Sequence, residues 1–175
     1  MERINTKTTH EGEQISVRVD EFRYDDGSTA EREIVAHPGA VVIAAHDDEV
    51  VFMVRQPREA IGEEAFLELP AGKLDQEDET PLEAAKRELV EEVGVEASEW
   101  EKLKSVYTSP GFTDEEAHLF CATGLRRVDP QPTEGERIEI VEVPLAELGD
   151  AIEDCADAES LIGLLMLRER LRTAQ

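Results

Sequence analysis

Residues 69–95 read LPAGKLDQEDETPLEAAKRELVEEVGV, and the second half of that stretch decides the fold. Thr80, with Glu83 three residues on, forms a capping box, and Pro81 takes the first helical position, where its missing N–H is harmless. Gly94 suits the left-handed stop at the far end. Between these ends Leu82, Ala85, Leu89 and Val93 recur at helical spacing, which predicts one amphipathic helix with an apolar stripe turned to a core. Glu88, Glu91 and Glu92 lie three and four positions apart and share another face. Like charges so placed cost a helix roughly 0.2–0.5 kcal/mol per pair. Arg87 can pair with Glu91, but one cation does not neutralise three anions. A hard divalent cation would, and oxygen-only donors suit Mg²⁺, or Mn²⁺, better than Zn²⁺. In so acidic a chain an isolated Glu-x-x-Glu-Glu also fits a solvated helix face.

The surrounding residues separate those two readings. Leu69-Pro70-Ala71-Gly72 ahead of the helix, a Glu in the loop, Arg87 directly before Glu88, and Gly94 at the cap resemble the signature of the Nudix hydrolases. Members of that family cut a diphosphate linked to some other moiety. The resemblance implies that Glu88, Glu91 and Glu92 hold metal together with the carbonyl of Ala71, and that Arg87 keeps the neighbouring carboxylate in place. Six residues separate Gly72 from Glu79, one more than the family pattern has. The extra residue falls in Asp75-Gln76-Glu77-Asp78, so a bulged loop with an intact carboxylate register is expected, and the part played by Glu79 stays open.

Outside the helix the resemblance narrows to ADP-ribose pyrophosphatases. Arg55-Gln56-Pro57-Arg58 followed by Phe66-Leu67-Glu68-Leu69-Pro70-Ala71-Gly72 looks like that subfamily's approach to the signature. Ser109-Pro110-Gly111-Phe112-Thr113-Asp114-Glu115 places Pro110 sixteen positions past Gly94, a spacing that subfamily shares. Glu134-Gly135-Glu136-Arg137 resembles its loop with a catalytic Glu. By this likeness Arg58 binds phosphate, a task a guanidinium fork suits. Glu136 orients or deprotonates the attacking water, with Glu134 as the alternative. Glu68 contacts the nucleotide, and Ser109, Gly111 and Phe112 shape the ribose side. Arg32 reaches a partner subunit's site, because these enzymes resemble domain-swapped homodimers.

Composition bounds the rest. The 175-residue chain carries 42 acidic against 18 basic residues, a net charge of −24. Such a surface repels nucleic acid and anionic membranes, so neither is expected as a partner. The scarcity of Lys beside abundant Glu resembles proteins of salt-loving organisms, where salt screens carboxylate repulsion. Cys121 and Cys155 show no metal or redox spacing, as expected of reduced thiols in a cytoplasmic protein. No apolar run approaches a membrane span, and the N-terminus lacks a signal-peptide hydrophobic region. The four histidines show no paired spacing and are expected to be structural or exposed, and Trp100 and Phe120 to be core residues.

Alternating runs predict strands over residues 15–22, 30–36, 40–44, 50–54, 100–106, 117–123 and 138–143, with a terminal helix over 160–171 through Leu161, Leu164, Leu165 and Leu167. The expected fold class is α/β (α+β): a Nudix-type α/β/α sandwich with a mixed sheet and a small N-terminal β unit. Two units are expected, a strand unit at 1–37 that contributes to the dimer and the hydrolase domain at 38–175. The expected reaction is divalent-metal-dependent hydrolysis of a nucleoside diphosphate sugar such as ADP-ribose. The rivals are a Nudix enzyme for triphosphates or dinucleoside polyphosphates, and a non-catalytic nucleotide-sensing domain.

Overall fold

The computed structural model describes residues 1–12, 15–129 and 137–173. Its centre is β4 (Ala40–Ala45), in which every residue is buried. A strand covered on both faces reads as a continuous apolar run. Val41, Ile43 and Ala45 pack with Ala84, Ala85, Leu89 and Val93 of the signature helix, while Val42 and Ala44 pack with Leu148, Ala151, Leu164 and Leu167. The period of two along β4 therefore divides one core into two layers.

β4 lies in a four-stranded mixed sheet of order β7-β4-β9-β8, with β7 (Ala71–Lys73), β8 (Val95–Tyr107) and β9 (Glu116–Arg127). The β4–β9 pair is parallel and its neighbours are antiparallel. A second sheet, β10-β5-β6, is built from β5 (Val50–Arg58), β6 (Glu63–Glu68) and β10 (Glu139–Pro144). Alternate residues of β5 feed the two layers, Val51 and Met53 into one, Phe52 and Val54 into the other. Helix α1 (Pro81–Glu88) covers one side; α2 (Leu148–Asp154) and α3 (Ala158–Thr173) cover the other. The result is the expected α/β/α sandwich. Among the described residues no helix is long and apolar enough to cross a membrane.

The third sheet, β1-β2-β3, is formed by β1 (Glu2–Glu11), β2 (Ser16–Arg23) and β3 (Thr29–Ala36). None of its residues belongs to the buried apolar core, and nearly all of β1 is exposed.

Several expectations need correction. The signature helix is α-helical only to Glu88; Leu89–Val93 form a π-turn, in which Gly94 N donates to both Leu89 O and Val90 O. The N-terminal unit has three strands where two were expected. Strands β6 and β7 and helix α2 were not foreseen, and β8 begins at Val95 where Trp100 was expected. Leu165 points outward from α3, whereas Leu164 and Leu167 are fully buried. Trp100 and Phe120 meet edge to face at 6.3 Å, as core aromatics do.

Candidate active site

The capping box forms as read: Thr80 Oγ1 accepts from Glu83 N at 3.3 Å, and Glu83 Oε2 accepts from Thr80 N at 2.9 Å. Gly94 closes the π-turn at φ 67°, a left-handed conformation that favours glycine. Between these stops the chain projects Arg87, Glu88, Glu91 and Glu92 into a cleft of about 860 Å³.

Arg87 organises the carboxylates. Its Nε and Nη2 donate to the two oxygens of Glu79 at 3.0 and 2.9 Å, a bidentate pair, and Nη1 donates to Glu88 at 2.6 Å and to Glu91 at 3.1 Å. The Glu79 contact, then the Glu88 charge, outweigh burial and raise the Arg87 pKa above its ordinary value. The extra loop residue thus leaves Glu79 in reach of Arg87. Asp78, next to it, adopts φ 63°, a conformation Asp tolerates better than most residues.

Glu88 and Glu92 are buried, at 9% and 7% exposure. Glu92 Oε2 accepts from Ala71 N at 3.0 Å, which ties the end of the helix to the start of β7. The Glu88 carboxylate lies so close over Gly72 that a Cβ there would overlap it. Three carboxylates, from Glu79, Glu88 and Glu91, therefore share one guanidinium, and a fourth, Glu92, is held by the backbone N–H of Ala71. This all-oxygen, net-negative donor set fits a hard divalent cation, for which Glu88, Glu91, Glu92 and the Ala71 carbonyl are the candidate ligands. Among the described residues no three such groups already surround a common point, and Arg87 bonds both Glu88 and Glu91.

Arg58 and Glu68 line the same cleft. Pro57 interrupts the β5–β6 register, as proline in a strand does at a bulge, and Gln56 and Arg58 both turn to Glu68. Glu68, 5% exposed, accepts from Arg58 Nη2 at 2.7 Å, Arg58 Nε at 2.9 Å and Gln56 Nε2 at 2.9 Å. The role of Glu68 visible here is to orient Arg58.

A third set of lining residues was mostly invisible in the sequence. The start of α3 brings Asp157, Glu159 and Ser160 to the cleft, which His37 and Glu115 also line. Burial, then the charges of Glu115, Asp157 and Glu68, push the Glu159 carboxyl up to about 7, with Arg58 opposing. His37, expected to be structural or exposed, lines the cleft with Nδ1 3.1 Å from Glu115 Oε1. Glu115 closes the Ser109–Glu115 segment read from the sequence, where it was given no role of its own; no local pattern signals the others, since chain reversal alone brings them together.

Ser109 and Gly111 are not on the cleft walls, and Phe112 is 55% exposed. Arg32 is exposed on β3, donating to the Tyr24 hydroxyl and to Glu31 O. Glu134 and Glu136 lie outside the described residues.

Comparison with known proteins agrees with this geometry. The NUDIX domain family model matches residues 35–162. An ADP-ribose pyrophosphatase of Mycobacterium tuberculosis (strain ATCC 25618 / H37Rv) is 45% identical over 73% of this chain and 61% of its own length. An ADP-ribose pyrophosphatase of Bacillus subtilis (strain 168) is 38% identical over 92% and 90%. A methanol dehydrogenase activator of Bacillus methanolicus is 38% identical over 97% and 94%. A crystal structure of an ADP compounds hydrolase superposes with a TM-score of 0.86 at 26% identity, covering 99% of this chain and 95% of the other. The chain belongs to the Nudix family, whose hydrolases act on phosphoanhydrides.

Proposed function

We propose that this protein hydrolyses the diphosphate of ADP-ribose, or of a closely related nucleoside diphosphate sugar, to AMP and ribose 5-phosphate. The observation that carries this reading is that one cleft is lined both by the Glu88, Glu91 and Glu92 carboxylates and by the Arg58–Glu68 pair. The carboxylates suit cations and Arg58 suits phosphate. Two relatives named ADP-ribose pyrophosphatase support the choice of substrate.

Each group has a task that follows from its surroundings. Glu68 holds the guanidinium of Arg58 along one edge, so that it meets diphosphate oxygens with its orientation already set. Glu88, Glu91, Glu92 and the Ala71 carbonyl are the residues to hold Mg²⁺, with Mn²⁺ as substitute; when bound, the cation supplies charge neutralisation on the diphosphate and lowers the pKa of a water. Arg87 fixes Glu88 and Glu91 from behind. Water adds to one phosphorus as the bridging P–O bond breaks, and Glu136, or Glu134 in its place, accepts the water proton. A homodimer built on the residue 1–37 unit would be the way for Ser109, Gly111 and Arg32, which do not line this cleft, to reach substrate in a second copy. The solvent-exposed faces of β1–β3 support that assembly too. The −24 charge supports a halophilic protein, and the free thiols of Cys121 and Cys155 support a cytoplasmic one.

A substrate panel tests the reading. The ratio kcat/KM for ADP-ribose should exceed that for nucleoside triphosphates and dinucleoside polyphosphates by at least about 10-fold, the order one altered pocket contact supplies. A preference for either of the latter would transfer the enzyme to another substrate class.

A further inference from the structure

One network connects the cleft to a part of the molecule that forms none of its walls. Asp114, in the loop between β8 and β9, accepts from Arg18 Nη2 at 2.8 Å and from His37 N at 3.0 Å, one bond to each carboxylate oxygen. The backbone reinforces the contact: Val35 N donates to Phe112 O at 2.8 Å, and Val35 pairs with Thr113 in an isolated parallel bridge. Arg18 is itself held from β1 and β2. Its Nε donates at 3.0 Å to Asp20, a carboxylate only 1% exposed that also accepts from the Thr6 hydroxyl and from Arg3. On the other side of Asp114, the next residue is Glu115. Its carboxylate lines the cleft, accepts from the Thr108 hydroxyl at 2.8 Å and lies 3.1 Å from His37 Nδ1. Asp114 thus grips both of these cleft-lining residues, Glu115 through the chain and His37 through its N–H.

We propose that the Arg18–Asp114 ion pair is a positioning device through which the N-terminal sheet sets Glu115 and His37, and so sets substrate affinity in a cleft that the sheet does not line. The inference rests on the hydrolase reading above and extends it. Arg18 and Asp114 are 22% and 44% exposed, and pairs of that kind add little to stability. Removing the pair at Asp114 therefore leaves a folded protein in which the Ser109–Glu115 loop is less well placed, whereas a change at Arg18 also takes a partner from buried Asp20. Glu115 and His37 line the cleft but are not among the carboxylates of the signature helix, so the loss falls on substrate binding more than on the chemical step.

The test is a double-mutant cycle of Arg18→Gln and Asp114→Asn, with Arg18→Lys as the conservative control. Asparagine keeps an acceptor for His37 N and removes only the charge. Each single variant should raise KM for ADP-ribose on the order of 5-fold, with kcat within about 2-fold of the parent. The double variant should be no worse than Arg18→Gln alone, because that substitution has already removed the contact that Asp114→Asn removes. Arg18→Lys should restore KM. Hydrogen exchange should quicken at residues 108–117 in the Gln and Asn variants but not in the Lys variant. Unchanged KM, an equal fall in kcat, or additive effects in the double variant would overturn the proposal. If the parent protein does not turn over ADP-ribose, the hydrolase reading is what fails. Exchange then decides the positioning claim: faster exchange at 108–117 supports it and unchanged exchange overturns it.

Discussion

At Gly72 a hydrogen is all that the Glu88 carboxylate leaves room for. Gly72→Ala should therefore push Glu88 aside, and a displacement of that size should lower kcat about 10²-fold while the melting temperature moves little. Steady-state kinetics beside a thermal melt checks this. Arg87→Gln should act differently, loosening Glu79, Glu88 and Glu91 together. A titration with Mg²⁺ should show a 10- to 100-fold loss in metal affinity or activity, roughly what removal of a ligand's supporting contact costs. Glu159 gives a pH signature. Its carboxyl stands at about 7 in the folded protein against 4.5 ordinarily, so its contribution to stability is full below 4.5 and is lost as pH rises through 7. Glu159→Gln should accordingly be more stable than the parent at pH 8 and equal to it below about pH 4.5, read from urea midpoints across that range. Glu88, Glu91, Glu92 and Arg87 were legible in the sequence because their spacing repeats the helix. The cleft positions of Glu159, Glu115 and His37 were not, because these residues meet only after three elements have packed.

The signature helix shows how far local rules reach. Its start was readable from Thr80, Pro81 and Glu83, and its stop from Gly94, because caps are set by neighbours in sequence. The π-turn between Leu89 and Val93 was not readable, since its residues have no π-specific signal and only tertiary contacts hold the wider turn. Glu92, bonded to Ala71 N, is one such contact. Strand β1 escaped for another reason: its residues are exposed on both faces, so no hydrophobic alternation marks it. The seven-residue α2 lacks a side-chain cap and contains Gly149. Thr80→Ala should cost about 1 kcal/mol, lowering the melting temperature by about 2–4 °C in a chain of this size. In α3 the tolerance is steric. A Cβ on Gly163 would come within 2.6 Å of Leu69 Cδ1, so Gly163→Ala should destabilise by about 1–3 kcal/mol, measurable by denaturant unfolding.

For the whole molecule the net charge of −24 is the dominant long-range term. Self-repulsion of that size is screened by salt, so the melting temperature should rise from dilute buffer to molar KCl; a flat profile would count against halophilic design. The three-stranded N-terminal sheet buries no apolar core of its own, and light scattering should give twice the 19.5 kDa of one chain if a second copy covers it. The layered sandwich could be anticipated from alternating apolar strands and one amphipathic helix, whereas the placement of the N-terminal sheet against the Ser109–Glu115 loop depends on Arg18 and Asp114, 96 positions apart. The most direct measurement is chromatographic product analysis after incubating the pure protein, and its Glu92→Gln variant, with ADP-ribose with and without Mg²⁺. Mg²⁺-dependent formation of AMP and ribose 5-phosphate by the parent, lost in the folded variant, is the expected result. No AMP from a folded parent at any metal or salt concentration would contradict the central claim that this carboxylate helix cleaves a nucleoside diphosphate sugar.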